Sequence, residues 1–417
     1  MSKRISIVLV GIGGYGHSYV RALMSNQIPE EYTVVGVVDP YPEKCDSIDE
    51  IREKGIPVFY SIEDFYASSE ADLAVISSPV HYHCSQICYA LQKGSNVLCE
   101  KPICPTVQEA SEIIRERDRT GKFVAIGYQW SYTDAIQRLK RDILSGILGK
   151  PKRMKSIVLT PRAESYYQRA NWAGKKRDAY GNWILDSVVS NATAHYMHNM
   201  FYILGNKIEE SVSLKGVTAE LYRANHIENY DTAAARIFTE DGVELLYYAS
   251  HATKDAVNPM FCYEFEKGRV IFELDWYGAS YEENQNIRKG NMWAAFNDGS
   301  YKIYGNPYND EMNKLSTSIR AVLGETTIPC TPEASMMHTL CVNGMQDSMP
   351  EIIEFPEEFV KVQVDGAAEK RDVYVEGLEE LLAQCYEKAI LPSEANISWA
   401  KKGKYIDLEN YTYFNQI

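Results

Sequence analysis

A glycine-rich hexapeptide, Gly11-Ile12-Gly13-Gly14-Tyr15-Gly16, follows the apolar run Ile5–Val10 and opens a stretch of helical periodicity. Between a strand and a helix, glycines at this spacing do three jobs. The first permits a tight turn, the second lets the backbone approach a pyrophosphate, and the third lets helix and strand pack closely. The N–H groups of the helix start and the positive end of its dipole then face the phosphates. Asp39 closes the next apolar run, 23 residues after Gly16. A carboxylate there accepts hydrogen bonds from the adenosine ribose and repels a 2′-phosphate. Gly11, Gly13, Gly14, Tyr15, Gly16 and Asp39 together therefore point to NAD rather than NADP. Lys101 is the second reactive candidate. It lies just beyond the run Asn96–Cys99, and an ammonium at the carboxyl end of a parallel strand faces the crevice where cofactor and substrate meet. It can hydrogen-bond a reacting hydroxyl and stabilise an alkoxide, and desolvation there lowers its pKa toward proton transfer.

Such groups need a sheet to hold them. The runs Ile5–Val10, Thr33–Val38, Leu73–Ile76, Asn96–Cys99 and Phe123–Ile126 are short and almost continuously apolar, as strands covered on both faces are. Between them, Tyr15–Ser25, Glu43–Glu53, His83–Leu91 and Val107–Arg117 have helical periodicity. Ser61 and Thr106, each with a carboxylate three residues on, mark helix starts, and Gly94 and Gly121 mark helix ends. The alternation predicts an α/β fold whose N-terminal domain is a Rossmann doubly wound parallel sheet. Farther on, Arg153–Thr160, Ser211–Arg223, Thr232–Phe238, Val243–Ser250 and Phe261–Glu273 read as strands, several joined by glycine turns. Helices are expected at Ala135–Leu148, Ser187–Leu204, Asp310–Leu323 and Val375–Glu387. This predicts a C-terminal α/β domain with a largely antiparallel open sheet. The expected division is 1–130, 131–350 and a charged, tyrosine-rich extension, 351–417, packed on the rest.

Composition narrows the function. Of 417 residues, 43 are Lys or Arg and 57 are Asp or Glu, a net charge of −14. That field repels phosphate backbones and argues against nucleic-acid binding. No apolar run approaches the roughly 20 residues of a membrane span, and nine scattered cysteines suit reduced thiols. The expectation is a cytoplasmic protein acting on a small molecule.

Three motifs in order are Gly11–Gly16, then Ser78-Pro79-Val80-His81-Tyr82-His83 after a strand, then Glu100-Lys101-Pro102 after the next. Over roughly residues 5–345 they resemble the Gfo/Idh/MocA oxidoreductases. The resemblance implies a Rossmann domain that binds NAD(P) and a second domain whose open sheet mediates a homo-oligomer, a dimer or tetramer. It also implies oxidation or reduction of a hydroxyl carbon on a sugar or cyclitol. It places Ser78, His83 and Glu100 beside the cofactor, with the substrate hydroxyl at Lys101. Counting back from Gly205, His195 falls where the family keeps its helix-borne active-site histidine, which implies a general base. The family's carboxylate four residues earlier is Asn191 here. Positions four apart share a helix face, but an amide neither accepts a proton nor raises a histidine pKa. His198 stands where many members have a second Asp. Asp186, half a turn out of phase with His195, is expected to cap the helix.

Tyr166–Trp172 supplies aromatic, amide and guanidinium groups suited to a carbohydrate pocket. Trp172, Tyr128, Asn191, His195 and His198 are the expected substrate contacts. His81, His83, Cys84 and Cys88 look ligand-rich, yet no Cys-x-x-Cys pair occurs, and no metal is expected. The reading is an NAD-dependent dehydrogenase of a sugar or sugar-like polyol, with neither nucleic acid nor membrane as partner. Its rivals are a redox-neutral glycosidase or lyase acting through a transient 3-keto sugar, and a non-catalytic NAD-binding sensor.

Overall fold

The computed structural model describes residues 4–25, 27–273, 290–365 and 370–416. They form two compact units. One runs to Thr133 and takes in Ile208–Glu210 and Tyr308–Met336; the other is Asp134–Lys207, Ser211–Pro307 and the chain from Met337 onward. The chain thus re-enters its first unit at 308–336, inside the stretch assigned above to the second domain. It does so because the helix Asn313–Val322 buries Leu315 and Ile319 in the same core as Ile7, Leu73 and Leu98. The segment from 351 is part of the second unit.

The first unit holds strands β1 (Ile5–Val10), β2 (Tyr32–Val38), β3 (Val58–Phe59), β4 (Leu73–Ile76), β5 (Asn96–Cys99) and β6 (Val124–Ile126). Their order is β3-β2-β1-β4-β5-β6 and every pair is parallel. The order reverses between β1 and β4, and in such sheets ligands bind outside the carboxyl ends at that point. The helices between the strands start and stop as their residues require. Ser61 Oγ accepts from the Asp64 N–H at 3.1 Å, and Thr106 and Glu109 form a reciprocal capping box. Gly94 and Gly121 end helices at φ 91° and 67°.

The second unit is built on β7 (Pro151–Leu159), β8 (Leu214–Arg223), β9 (Thr232–Thr239), β10 (Glu244–Ser250), β11 (Val257–Phe265), β12 (Gly268–Glu273), β13 (Met292–Phe296), β14 (Tyr301–Gly305) and β15 (Ile353–Glu354). They run β14-β13-β12-β11-β7-β10-β9-β8-β15, antiparallel except for β7 with β10 and β8 with β15. One face of this sheet is covered by the chain's own C-terminal segment. Ile157, Leu159, Ala234, Leu246 and Tyr248 are buried against Leu378, Leu382, Cys385, Tyr386 and Leu391, several of them from the helix Leu378–Lys388. At about 25 cal/mol per Å² of apolar surface, such a patch is a substantial hydrophobic contribution. Among the described residues no helix is long and apolar enough to cross a membrane.

Candidate active site

At the carboxyl ends of β1 and β4 the first motif becomes a cradle. Gly11, at φ +80°, runs so close to the loop after β4 that a Cβ on it would sit 2.8 Å from the Ser78 nitrogen. On Gly16 a Cβ would sit 2.1 Å from the Gly11 carbonyl oxygen. Turn and packing therefore demand these two glycines. Around Gly13 and Gly14 nothing lies within 4 Å of a Cβ position, which is the open side a pyrophosphate needs. The helix Gly16–Met24 starts there and presents its first N–H groups. Asp39, just beyond β2, accepts from the Ile12 N–H at 3.0 Å and the Tyr41 N–H at 2.8 Å. Its carboxylate is held at the edge of the loop, where it suits ribose hydroxyls. The residues present fit NAD.

His83 ties the next two motifs together. Its Nδ1 lies 2.9 Å from the Pro102 carbonyl oxygen and its Nε2 2.8 Å from that of Ser78. The ring is buried, and burial pulls its pKa down despite both carbonyls. A neutral imidazole has one N–H, so it donates to one carbonyl at a time. His83 is thus a strut between the Ser78 loop and the Glu100-Lys101-Pro102 corner. Ser78 donates to Gln86 Oε1 at 2.6 Å. The Lys101–Pro102 peptide bond is cis.

Glu100 is buried and anchors that corner. Its Oε1 accepts from Tyr19 OH at 2.6 Å and from Lys314 Nζ at 2.5 Å, and its Oε2 accepts from the Lys101 N–H at 3.2 Å. Burial pushes its pKa up, but the Lys314 charge and these hydrogen bonds hold it below the usual carboxylate range. Gly127 makes the room: a Cβ there would lie 2.7 Å from Glu100 Oε1. Neither Lys314 nor Gly127 was singled out by motif. The glycine directly after an apolar run was a signal for close approach, whereas Lys314 looks like any helix-surface lysine. Tyr128, in the loop after β6, is fully buried, and burial raises its phenol pKa.

In the second unit, the helix Ala194–Ile203 carries His195, half-buried, and is preceded by a π-helical turn, Val188–Ala192, that carries Asn191. Ser187, not Asp186, caps this turn, accepting from the Ser190 N–H at 3.1 Å. Asp186 instead reaches Asn191, whose Nδ2 donates to Asp186 Oδ1 at 2.9 Å, while Gly174 N–H donates to Oδ2 at 2.7 Å. A carboxylate can only accept, so this bond also fixes which way the amide points. Arg169 approaches the same carboxylate at 3.8 Å, with its guanidinium 3.7 Å from the Tyr166 ring and 4.7 Å from that of Trp172. Trp172 thus already stacks against a guanidinium. His198 is buried, stacked on Tyr202 with centroids 5.6 Å apart, and desolvation together with nearby His338 and Lys140 drives its pKa well down. It is a neutral interior ring, which differs from the substrate contact expected of it. His251, beside Tyr166, is also buried, its pKa lowered to about 3 by desolvation. As for metals, Cys84 and Cys88 meet Glu112 with ligand atoms within 4.8 Å of one another, while both nitrogens of His83 face backbone carbonyls.

The parallel sheet order and the cradle at its switch point define an NAD-binding Rossmann domain. Residues 5–128 match the model of the Gfo/Idh/MocA oxidoreductase family, NAD-binding Rossmann fold. Similar curated proteins include the rhizopine catabolism protein MocA of Rhizobium meliloti, 28% identical over 35% of this chain and 44% of that protein. The inositol 2-dehydrogenase of Rubrobacter xylanophilus is 26% identical over 57% of this chain and 64% of that protein. Each match thus spans less than two thirds of the relative. Among solved structures, the WlbA dehydrogenase from Bordetella pertussis, in complex with NADH and UDP-GlcNAcA, shares the fold. Its TM-score is 0.65 at 20% identity, over 82% of this chain and 95% of that one.

Proposed function

We propose that the protein is an NAD-dependent oxidoreductase that moves hydride between nicotinamide and a hydroxyl carbon of a sugar or sugar-like polyol. The observation that carries this reading is the corner at the end of β5. Lys101 leaves the strand there with its own N–H on Glu100 and the next carbonyl on His83, so its ammonium is presented from a backbone tied on both sides. NAD, when bound, supplies the hydride acceptor. Lys101 hydrogen-bonds the reacting oxygen and stabilises the alkoxide. His195 takes the hydroxyl proton, and Asn191, having given an amide hydrogen to Asp186, serves as a neutral orienting neighbour. Tyr128 and Trp172 shape the surroundings rather than the chemistry. The names of the relatives, an inositol dehydrogenase and a dehydrogenase with a nucleotide sugar bound, favour a polyhydroxylated substrate.

The homo-oligomer remains part of this proposal. The chain's own C-terminal segment covers the sheet across β7–β10, so assembly through the sheet would use surface outside that patch, which light scattering on the protein tests. The chemical reading is tested by NADH absorbance with NAD and a panel of sugars, sugar acids and cyclitols. One substrate class should yield NADH in proportion, and Lys101→Ala should abolish turnover while keeping NADH affinity within a few-fold. Loss of NADH binding by a folded Lys101→Ala protein would sink the assigned role.

A further inference from the structure

Lys314 belongs to no motif. It enters from the helix Asn313–Val322, 214 residues beyond Glu100, and is completely buried. Its Nζ donates to Glu100 Oε1 at 2.5 Å and to Tyr15 OH at 2.8 Å, and lies 4.6 Å from the Tyr15 ring centroid and 5.2 Å from that of Tyr19. Tyr15 is the residue just before Gly16 in the glycine loop, and its hydroxyl donates in turn to Glu311 on the same returning segment. One ammonium therefore joins the two halves of the cofactor site: the loop that faces the pyrophosphate and the strand end that presents Lys101.

We propose that Lys314 is a positioning residue of the cofactor site, holding Glu100 as a carboxylate and, through Glu100 and Tyr15, fixing the Lys101 backbone and the glycine loop in register. The physical basis is asymmetry. A buried ion pair contributes little against an apolar replacement of both partners, but removing one partner strands a charge in the interior. Glu100, without Lys314, must either stay ionised and turn toward water, pulling Lys101 N–H and Tyr19 with it, or take up a proton. Either outcome loosens the corner. Tyr15 loses the donor that holds its ring beside the loop.

The inference rests on the NAD-dependent reading only in that the site is read out by cofactor, so the test uses NADH alone, without any substrate. NADH fluorescence titrations are run on the full chain as wild type, Lys314→Met, Glu100→Gln and the double variant. Each single variant should weaken NADH by about tenfold or more, since each strands one charge. The double variant should recover to within about threefold of wild type, because the pair is then neutral and the Gln can keep its bonds to Tyr19 and Lys101 N–H. A merely structural lysine would cost stability alone and leave the NADH affinity of the folded single variants unchanged. Lys314→Met binding NADH like wild type would overturn the proposal, as would a double variant no better than the worse single. If Lys314→Met does not fold, the double variant decides: folded, with near-wild-type affinity, it supports the role; weakened more than tenfold, it contradicts it. Absence of NADH binding by the wild type would instead contradict the cofactor reading itself.

Discussion

In the first unit a carboxylate and an ammonium are buried together, Glu100 with Lys314 at 2.5 Å, whereas the second unit buries His198 and His251 as neutral rings. Both solve the problem of polar groups in a low-dielectric interior. At Glu100 and Lys314 the charges are kept and paired; at His198 and His251 the rings stay neutral. The difference matters because a paired charge transmits any loss of its partner to the site, while a neutral ring responds mainly to acid.

Three experiments sharpen or break this contrast, beginning with the largest effect. Glu100→Gln strands the buried Lys314 ammonium and should cost about 3–5 kcal/mol of stability in urea unfolding. His251→Asn removes one hydrogen bond to the Thr160 carbonyl and should cost about 1 kcal/mol; equal losses would erase the distinction. Acid comes next. His83, His198 and His251 all have lowered pKa values in the fold. They stay neutral there while the unfolded chain takes up protons below its ordinary histidine pKa of about 6.5. Their stabilisation is complete above that pH and falls as pH drops below it, by about 1.4 kcal/mol per pH unit for each ring. Glu100, with its pKa lowered, withdraws stability only below the ordinary carboxylate range of about pH 4.3. Between pH 6.5 and 5 the second unit, with two such rings, should therefore lose hydrogen-exchange protection in β7 and β10 faster than the first loses it in β1 and β4. Equal losses would mean that the rings are not held neutral. The smallest effect is expected of Asn191→Asp. It sets a second carboxylate against Asp186 where the amide now donates at 2.9 Å, so one of the two should stay protonated near neutrality. A melting temperature lower by a few degrees at pH 8, recovering toward pH 6, would show it; a pH-independent melting temperature would argue against that contact.

The legible parts of the molecule were those in which local pattern and tertiary role coincide. In β1, β4 and β5 nearly every residue is apolar and buried, so the runs read as strands; Gly11 and Gly16 are demanded by backbone contacts that any such turn makes. The illegible parts break that coincidence. β3 has two residues, too few for a period. The helix Pro332–Ser348 buries Ser335, His338, Asn343 and Gln346 alongside its apolar residues, which erases the contrast that marks a helix face. Asp186 looked out of phase with the histidine helix because regular geometry was assumed, whereas the Thr193 N–H bonds to the Val188 carbonyl across a wider turn. Lys314 meets Glu100 only through the fold, and nothing in its own neighbourhood announces a buried charge. His83 was found by its motif, but its work as a strut depends on two carbonyls from separate loops.

The central claim is hydride transfer assisted by Lys101 on an NAD-loaded Rossmann domain. The most direct measurement follows NADH absorbance after NAD and the polyol panel are added to wild type and to Lys101→Ala, with NADH affinity measured on both. The account predicts NADH formed in proportion to one class of sugar or cyclitol by the wild type, and none by the variant at comparable NADH affinity. Product released without net NADH, or equal turnover by Lys101→Ala, would contradict it.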